Sequence, residues 1–300
     1  MIAGFLLLFQ AATATPLLDS VVVVPGERYR ASSLHRFLLG DTHRDLWTVP
    51  IRVPVLDLAR FGGGLTAYER GGSSQTRSLR FRAEDGRIYT FRALSKDPTQ
   101  TWPAPLRSSA ARTFAEDQIS ALFPGAPVAV AVLERAAGLV NPGVFLAVLP
   151  DDERLGEWRS EFAGQLGTVE QRLRGRGAPI QDVPGATQVI ATDALFRRLR
   201  ERKHLVDQRT YLTARLLDLV IGDWDRHEDQ WSWARYREEE DGVSHWMPLP
   251  RDRDWALSRL DGPLYALLRL YIPKYQSFGP KYGRVYGMTL SAEPLDRRLL

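Results

Sequence analysis

Four carboxylates crowd into seven residues of one short segment, Asp223, Asp225, Glu228 and Asp229 in DWDRHEDQ at 223–230. Arg226 and His227 sit inside the group, and Gln230 closes it. Like charges at this density cost energy unless arginine or a metal ion offsets them. Two further carboxylates, Asp252 and Asp254 in RDRD at 251–254, follow two short apolar runs joined by an acidic turn. If the runs pair as a hairpin, their outer ends lie side by side and Asp225 meets Asp252. That arrangement suits metal-assisted phosphoryl transfer. One carboxylate orients an attacking hydroxyl or accepts its proton, while a second, with an amide oxygen, holds Mg²⁺ against phosphates. A solvated helix end laced with ion pairs is the alternative for the same residues.

Asp225 and Gln230 are five apart, the interval between the catalytic Asp and the metal-binding Asn of kinase catalytic loops; Gln supplies the same carbonyl oxygen on a longer arm. Asp252 is the metal ligand in one register and Asp254 in the other. His227 either helps position a phosphate or orders the loop as a structural residue. Asp218, upstream, accepts bonds from the loop or pairs with Arg215. The same chemistry needs a flexible cover and a cation for the phosphates. Residues 71–76 offer the cover: Gly71, Gly72, Ser73, Ser74, Gln75 and Thr76 lie between two alternating runs, with backbone N–H groups free to face phosphates. In the strand that follows, Arg92 has the right place and Lys96 the usual side chain, so either one reaches the phosphates. Glu116, on the next helix, is the nominal partner of that cation.

The segment IGDWDRHEDQ resembles the catalytic loop of atypical protein-kinase-like enzymes. These include the HipA-like toxin kinases, the spore-coat CotH-like kinases and the secretory-pathway kinases. PLPRDRDWAL at 248–257 resembles their metal-binding motif. The resemblance implies a two-lobed fold, ATP with Mg²⁺ or Mn²⁺ as cofactors, and a hydroxyl-bearing acceptor. Longer stretches, GGLTAYERGGSSQTRSLRF, DGRIYTFRALSKDP, FAEDQISALFP, PDDERLG and IPKYQSFGPKYG, resemble uncharacterised bacterial proteins often labelled metallophosphoesterase. No clustered His motif of a dinuclear phosphoesterase accompanies them, since His35, His43, His204, His227 and His245 are scattered. A metal-dependent phosphohydrolase using the 223–229 and 252–254 carboxylates is the second expectation, and a catalytically degenerate kinase-like binding domain the third.

The elements that must position these residues follow from patterning. Runs at 66–70, 78–83 and 88–94 alternate by side, with Asp85-Gly86 as a hairpin turn. Residues 107–123 hold a helix, 144–149 a buried strand, and 156–183 a polar surface loop and helix. The best helix is 207–222, with Leu212, Leu216, Leu219 and Val220 on one face and Gly222 at its end. Two strands, 231–236 and 245–250, follow it. Five of the eight tryptophans fall within residues 224–255 and are expected in the core around this hairpin.

The expected fold is α+β, an atypical two-lobed protein-kinase-like fold with a smaller β-rich N-terminal lobe at 21–150 and a larger, mainly helical C-terminal lobe at 151–300. The chain of 300 residues is long enough for both lobes, and 44% hydrophobic with 25% charged residues excludes a disordered tail. With no cysteine, disulfides, thiol catalysis and iron–sulfur clusters are excluded. The net charge of +4 lies wholly in residues 1–100, with 13 basic and 9 acidic side chains there. No run of like charge suggests a nucleic-acid partner. Residues 1–20 are read as a signal peptide or an N-terminal segment. The first reading implies a periplasmic or secreted protein and the second a cytoplasmic one. No transmembrane helix is expected, and the C-terminus is compatible with a further domain in a longer parent.

Overall fold

The computed structural model describes residues 17–72, 76–98, 110–173, 183, 186–201, 203–236 and 242–300. The reading of residues 1–14 as a leader, and the loop residues Ser73, Ser74 and Gln75, lie outside the described residues. The fold is a mixed α+β arrangement of two sheets with helices between and around them.

Seven strands form the first sheet: β1 (Leu17–Val23), β2 (Ile51–Leu56), β3 (Leu65–Gly71), β4 (Thr76–Ala83), β5 (Ile88–Lys96), β6 (Val144–Val148) and β7 (Leu166–Gln171). Their spatial order is β1-β2-β6-β7-β5-β4-β3, and only the β2–β6 pair is parallel. The alternating runs expected at 66–70, 78–83 and 88–94 are β3, β4 and β5. Because side chains alternate across a strand, Tyr89, Phe91 and Ala93 of β5 enter the core beside Leu79, Phe81 and Val169. Leu94 turns to the opposite face, where it packs with residues that include Trp255. Arg92 and Lys96 share that parity, which places them toward the second half of the chain.

β7 falls in a stretch whose polarity predicts a surface loop and helix. Gly167, Thr168 and Val169 are buried, with both faces of the strand covered, but Glu170, Gln171 and the glycines around them mask the short strand in the sequence. The sheet therefore runs to Gln171, past the boundary expected at 150. The helices in chain order are α1 (Ser33–Leu39), α2 (Arg44–Thr48), α3 (Ala110–Gln118), α4 (Ala126–Ala136), α5 (Arg159–Phe162), α6 (Thr192–Arg198), α7 (Gln208–Val220), α8 (Pro263–Tyr271), α9 (Val285–Thr289) and α10 (Glu293–Leu299), with α3 and α4 between β5 and β6. By length and composition alone the stretch Phe114–Ala136 would pass for a membrane span. In the fold it is interrupted: Leu122 is extended, at φ −73° and ψ 137°. Ile119, Ala121, Val130 and Ala131 are buried within the protein.

The second sheet has the order β8-β10-β11-β9, from β8 (Gln188–Ala191), β9 (His204–Val206), β10 (Trp231–Arg235) and β11 (Ser244–Pro250). The hairpin expected between residues 231 and 250 is the β10–β11 pair, in register from Trp231↔Pro250 to Arg235↔Trp246. Trp231, Trp233 and Trp246 join Leu195, Tyr211, Ala214 and Leu295 in one core. Trp255 alone among the five clustered tryptophans is only half-buried.

Asp207 caps the start of the long helix α7 (Gln208–Val220) by accepting from the Thr210 N–H, and Gly222, at φ +70°, ends it. Its buried stripe is not the expected leucine face. Tyr211, Ala214, Arg215 and Asp218 point inward, while Leu212, Leu216 and Val220 are 44%, 53% and 69% exposed. The stripe is offset by one residue because the inward Arg215 and Asp218 are satisfied by ion pairs rather than by apolar neighbours. Replacing Trp233 by alanine is expected to cost roughly 3–5 kcal/mol. Leu216→Ala on the outward face is expected to change stability by no more than about 0.5 kcal/mol. Urea denaturation of the two variants checks both values.

Candidate active site

Beneath the acidic segment lies a network of buried charge. Asp218 on α7 has no solvent exposure. It accepts from Arg215 at 2.6 Å, lies 3.4 Å from the Arg226 Nε, and pairs with Arg253. Arg253 also bonds Glu134 of α4 at 2.8 Å and Asp223 at 2.9 Å. Burial works against the charge on Asp218, but Arg253, Arg226 and Arg215 outweigh it and hold the carboxyl below its ordinary range. Asp223 goes the other way. Burial raises it, and the nearby Asp218 adds to the rise, against the pull of Arg226 and Arg253.

Arg226 links this network to both loops. It is fully buried, stacked over Trp231 with its guanidinium 4.6 Å from the ring centre. Its nitrogens donate to the Arg251 carbonyl at 2.7 Å, the Gln230 carbonyl at 3.1 Å and the Asp252 carbonyl at 3.4 Å. The Arg251 N–H in turn donates to the Gln230 carbonyl at 2.9 Å. The two acidic loops are thus held edge to edge, as the hairpin implies. Arg253 points into the protein while its neighbours Asp252 and Asp254 face outward. Asp252 takes a left-handed backbone, φ +53°, a conformation that costs a residue with a side chain roughly 1–2 kcal/mol.

One open cleft of about 290 Å³ receives nearly every residue expected in the site. Gly72 and Thr76, Arg92 and Lys96, Asp225, His227 and Gln230, and Asp252 and Asp254 all line it, with Trp255 as an added wall. The loop residue Gly72 sits at φ +98°, and a Cβ there would lie 1.9 Å from the Thr76 carbonyl oxygen. Only glycine fits so tight a return. Thr76 is paired with Lys96 across the β4–β5 ladder, which sets the loop directly beside that lysine.

The cations and carboxylates have specific partners. Lys96 forms an ion pair with Asp254. Arg92 bonds Glu170 of β7 at 2.8 Å, and Glu170, with Asp252 and Asp254 behind it, raises the guanidinium against the effect of burial. Burial and the adjacent Asp254 push the Asp252 carboxyl up, against Arg92 and Lys96. For Asp254 burial is outweighed by Lys96 and then Arg92, so its carboxyl lies below the ordinary range. Asp225 has no hydrogen bond or ion pair among the described residues and stands at the cleft beside this pair.

Of the other expected residues, His227 lines the cleft and Glu116 does not. Glu116 does not pair with Arg92 or Lys96; it bonds Arg112 one turn earlier on α3, at 2.9 Å, because Asp254 and Glu170 already take the two cations. His227 is exposed and caps the short turn Glu228–Gln230, its Nδ1 accepting from the Asp229 N–H at 3.3 Å. Its Nε2 lies 3.2 Å from the Gln230 carboxamide, so the structural alternative accounts for its contacts. Sequence reasoning missed Glu170, Arg253 and Glu134. Arg253 lay in plain view between two aspartates, but no local pattern marks it as buried. No family model matches the chain, and no solved structure matches it significantly.

Among the described residues no three His, Asp or Glu side chains form a ready-made metal cage. Mg²⁺ is commonly bound by one or two carboxylates completed by substrate phosphates and water. The paired Asp252 and Asp254, with the Gln230 amide oxygen nearby, fit that smaller donor set.

The opposite shifts of Asp218 and Asp223 have opposite consequences with pH. A lowered carboxyl stabilises the fold above its unfolded pKa and loses that contribution as pH falls; a raised one stabilises in acid and loses it as pH rises. Asp218→Asn is expected to cost roughly 3–5 kcal/mol at neutral pH, with the gap to wild type closing below about pH 4. Asp223→Asn is expected to cost less at neutral pH, with a gap that widens in acid. Urea denaturation of both variants across the acid range measures these slopes.

Proposed function

We propose that the chain is an ATP- and Mg²⁺-dependent phosphotransferase of an atypical two-lobed kinase-like kind, acting on a hydroxyl-bearing acceptor. The observation that supports this reading most is the convergence on one cleft of residues from four separate stretches: Gly72 and Thr76, Arg92 and Lys96, Asp225 and Gln230, and Asp252 and Asp254. These are the parts that phosphoryl transfer needs, because its catalysis is mostly positioning and charge stabilisation.

In this reading the Gly72 loop closes over the nucleotide, and Arg92 and Lys96 bind its phosphates. Lys96 exchanges Asp254 for a phosphate oxygen as the nucleotide enters. Asp252, Asp254 and Gln230 hold the metal ion, which supplies charge neutralisation of the phosphates when bound. Asp225 orients the acceptor hydroxyl and takes its proton as the new O–P bond forms and the bond to the departing ADP breaks. The raised Asp252 carboxyl suits a ligand that gives up its proton to an arriving cation. The dinuclear hydrolase is less favoured, since two metals bridged by protein side chains need more carboxylate and imidazole ligands than gather among the described residues.

A Mg²⁺-dependent ATP-binding and turnover assay tests the proposal. Asp225→Asn is expected to keep ATP binding and lose about 10²–10⁴-fold in turnover. Asp252→Asn is expected to lose the Mg²⁺ dependence of binding. Unchanged turnover in both variants would sink the site. Failure of the wild type to bind Mg-ATP at millimolar concentration would favour a binding role without catalysis.

A further inference from the structure

Lys96 also lines a second cavity, of about 350 Å³, walled by five cations and three carboxylates. Three of the cations are matched. Arg70 bonds Glu161 through two contacts of 3.0 Å, Arg112 bonds Glu116 at 2.9 Å, and Lys96 pairs with Asp254 of the neighbouring cleft. Arg28 and Arg77 meet no carboxylate among the described residues. Arg28 is nevertheless held in place: it donates to the Lys96 carbonyl at 2.8 Å and to the Tyr29 hydroxyl at 2.7 Å, and lies over the Tyr29 ring at 4.9 Å. A guanidinium fixed by neutral acceptors keeps its full charge and spare N–H groups for a ligand.

We infer that this cavity is an anion site for a small phosphate monoester, gripped by Arg28 and Arg77 beside Lys96. With Arg70, Arg112 and Lys96 matched, Arg28 and Arg77 against Asp97 leave one net positive charge on the wall, which attracts a phosphate monoester carrying about 1.5–2 negative charges at neutral pH. Guanidinium groups match phosphate oxygens through paired N–H bonds. The volume suits a small phosphorylated molecule rather than a macromolecule. The inference shares Lys96 with the phosphotransferase reading and places a phosphorylated compound next to that cleft, but it does not require Asp225 or Asp252 to be active.

The test is calorimetric titration of the full chain, without Mg²⁺ or nucleotide, using inorganic phosphate and glycerol 3-phosphate, with acetate as a monovalent control. Glycerol 3-phosphate and phosphate are expected to bind and acetate not to. Tighter binding of glycerol 3-phosphate assigns the site to an ester, whereas tighter inorganic phosphate overturns that assignment. Arg28→Gln and Arg77→Gln, each checked for a cooperative thermal melt, should weaken binding at least about tenfold. Asp225→Asn and Asp252→Asn should leave it within about twofold. Binding should also weaken as NaCl rises, a readout that needs no variant. No binding up to about 10 mM, salt-insensitive binding, or unchanged affinity in both folded arginine variants overturns the inference. Phosphate-ester binding by a chain that does not bind Mg-ATP keeps this site and drops the phosphotransferase reading. Mg-ATP turnover without phosphate-ester binding does the reverse.

Discussion

A single carboxylate sealed from water, Asp218, is surrounded by the guanidiniums of Arg215, Arg226 and Arg253, and the rest of the site depends on that arrangement. An isolated ion in such a place would be very costly. Three arginines together would be equally so without Glu134 and Asp223, and without Asp296, which accepts from Arg215 at 2.9 Å. The charges are tolerable only as a set. The set spans α4, α7, both acidic loops and the last helix, α10 (Glu293–Leu299), so it adds directed ion pairs between elements that apolar cores also join. Arginine suits the task because its planar group offers five donors. Arg226 uses them to hold a carboxylate on one side and loop carbonyls on the other, which lysine has too few directed donors to do.

The cleft shows how unlike elements become one site. Strand alternation directs Arg92 and Lys96 of β5 out of the first sheet's core. Hairpin register brings Gln230 beside Arg251. Arg226 then fastens the backbone of Asp252, whose left-handed conformation presents its side chain beside Asp254 while Arg253 turns inward. The local strain is offset by contacts formed elsewhere, as is common where geometry serves a ligand rather than stability.

Much of this was legible in the sequence where local rules govern. The Asp85-Gly86 turn, the period of β4 and β5, the capped helix ending at Gly222, and the hairpin after Gln230 all follow from chemistry within a few residues. The candidate residues were legible for the same reason, since charged groups crowded beside apolar runs are conspicuous. The failures share a different cause. The apolar residues of α7 proved exposed, and its charged residues buried, because long-range ion pairs overrode the hydrophobic pattern. β7 was hidden because polar residues and glycines interrupt its pattern and one of its two partners, β5, lies far back in the chain. Glu116 was assigned a partner by analogy of position, while the actual partners, Glu170 and Asp254, came from elements that no local pattern joins to Lys96 and Arg92.

The position of β7 has a further consequence for how the molecule is made. β3, β4 and β5 are consecutive in the chain and adjacent in the sheet, so they assemble through short, fast-closing connections. The other edge of β5 waits for β7, which begins only at Leu166, after β6 and, among the described residues, three α-helices. Until that strand has left the ribosome, β5 presents an unpaired row of N–H and C=O groups, and Arg92 has no Glu170. An emerging chain at this stage carries an open sheet edge of the kind that recruits other strands. The charged residues along it, Arg92 and Lys96, are then gatekeepers against self-association before they become part of a cleft.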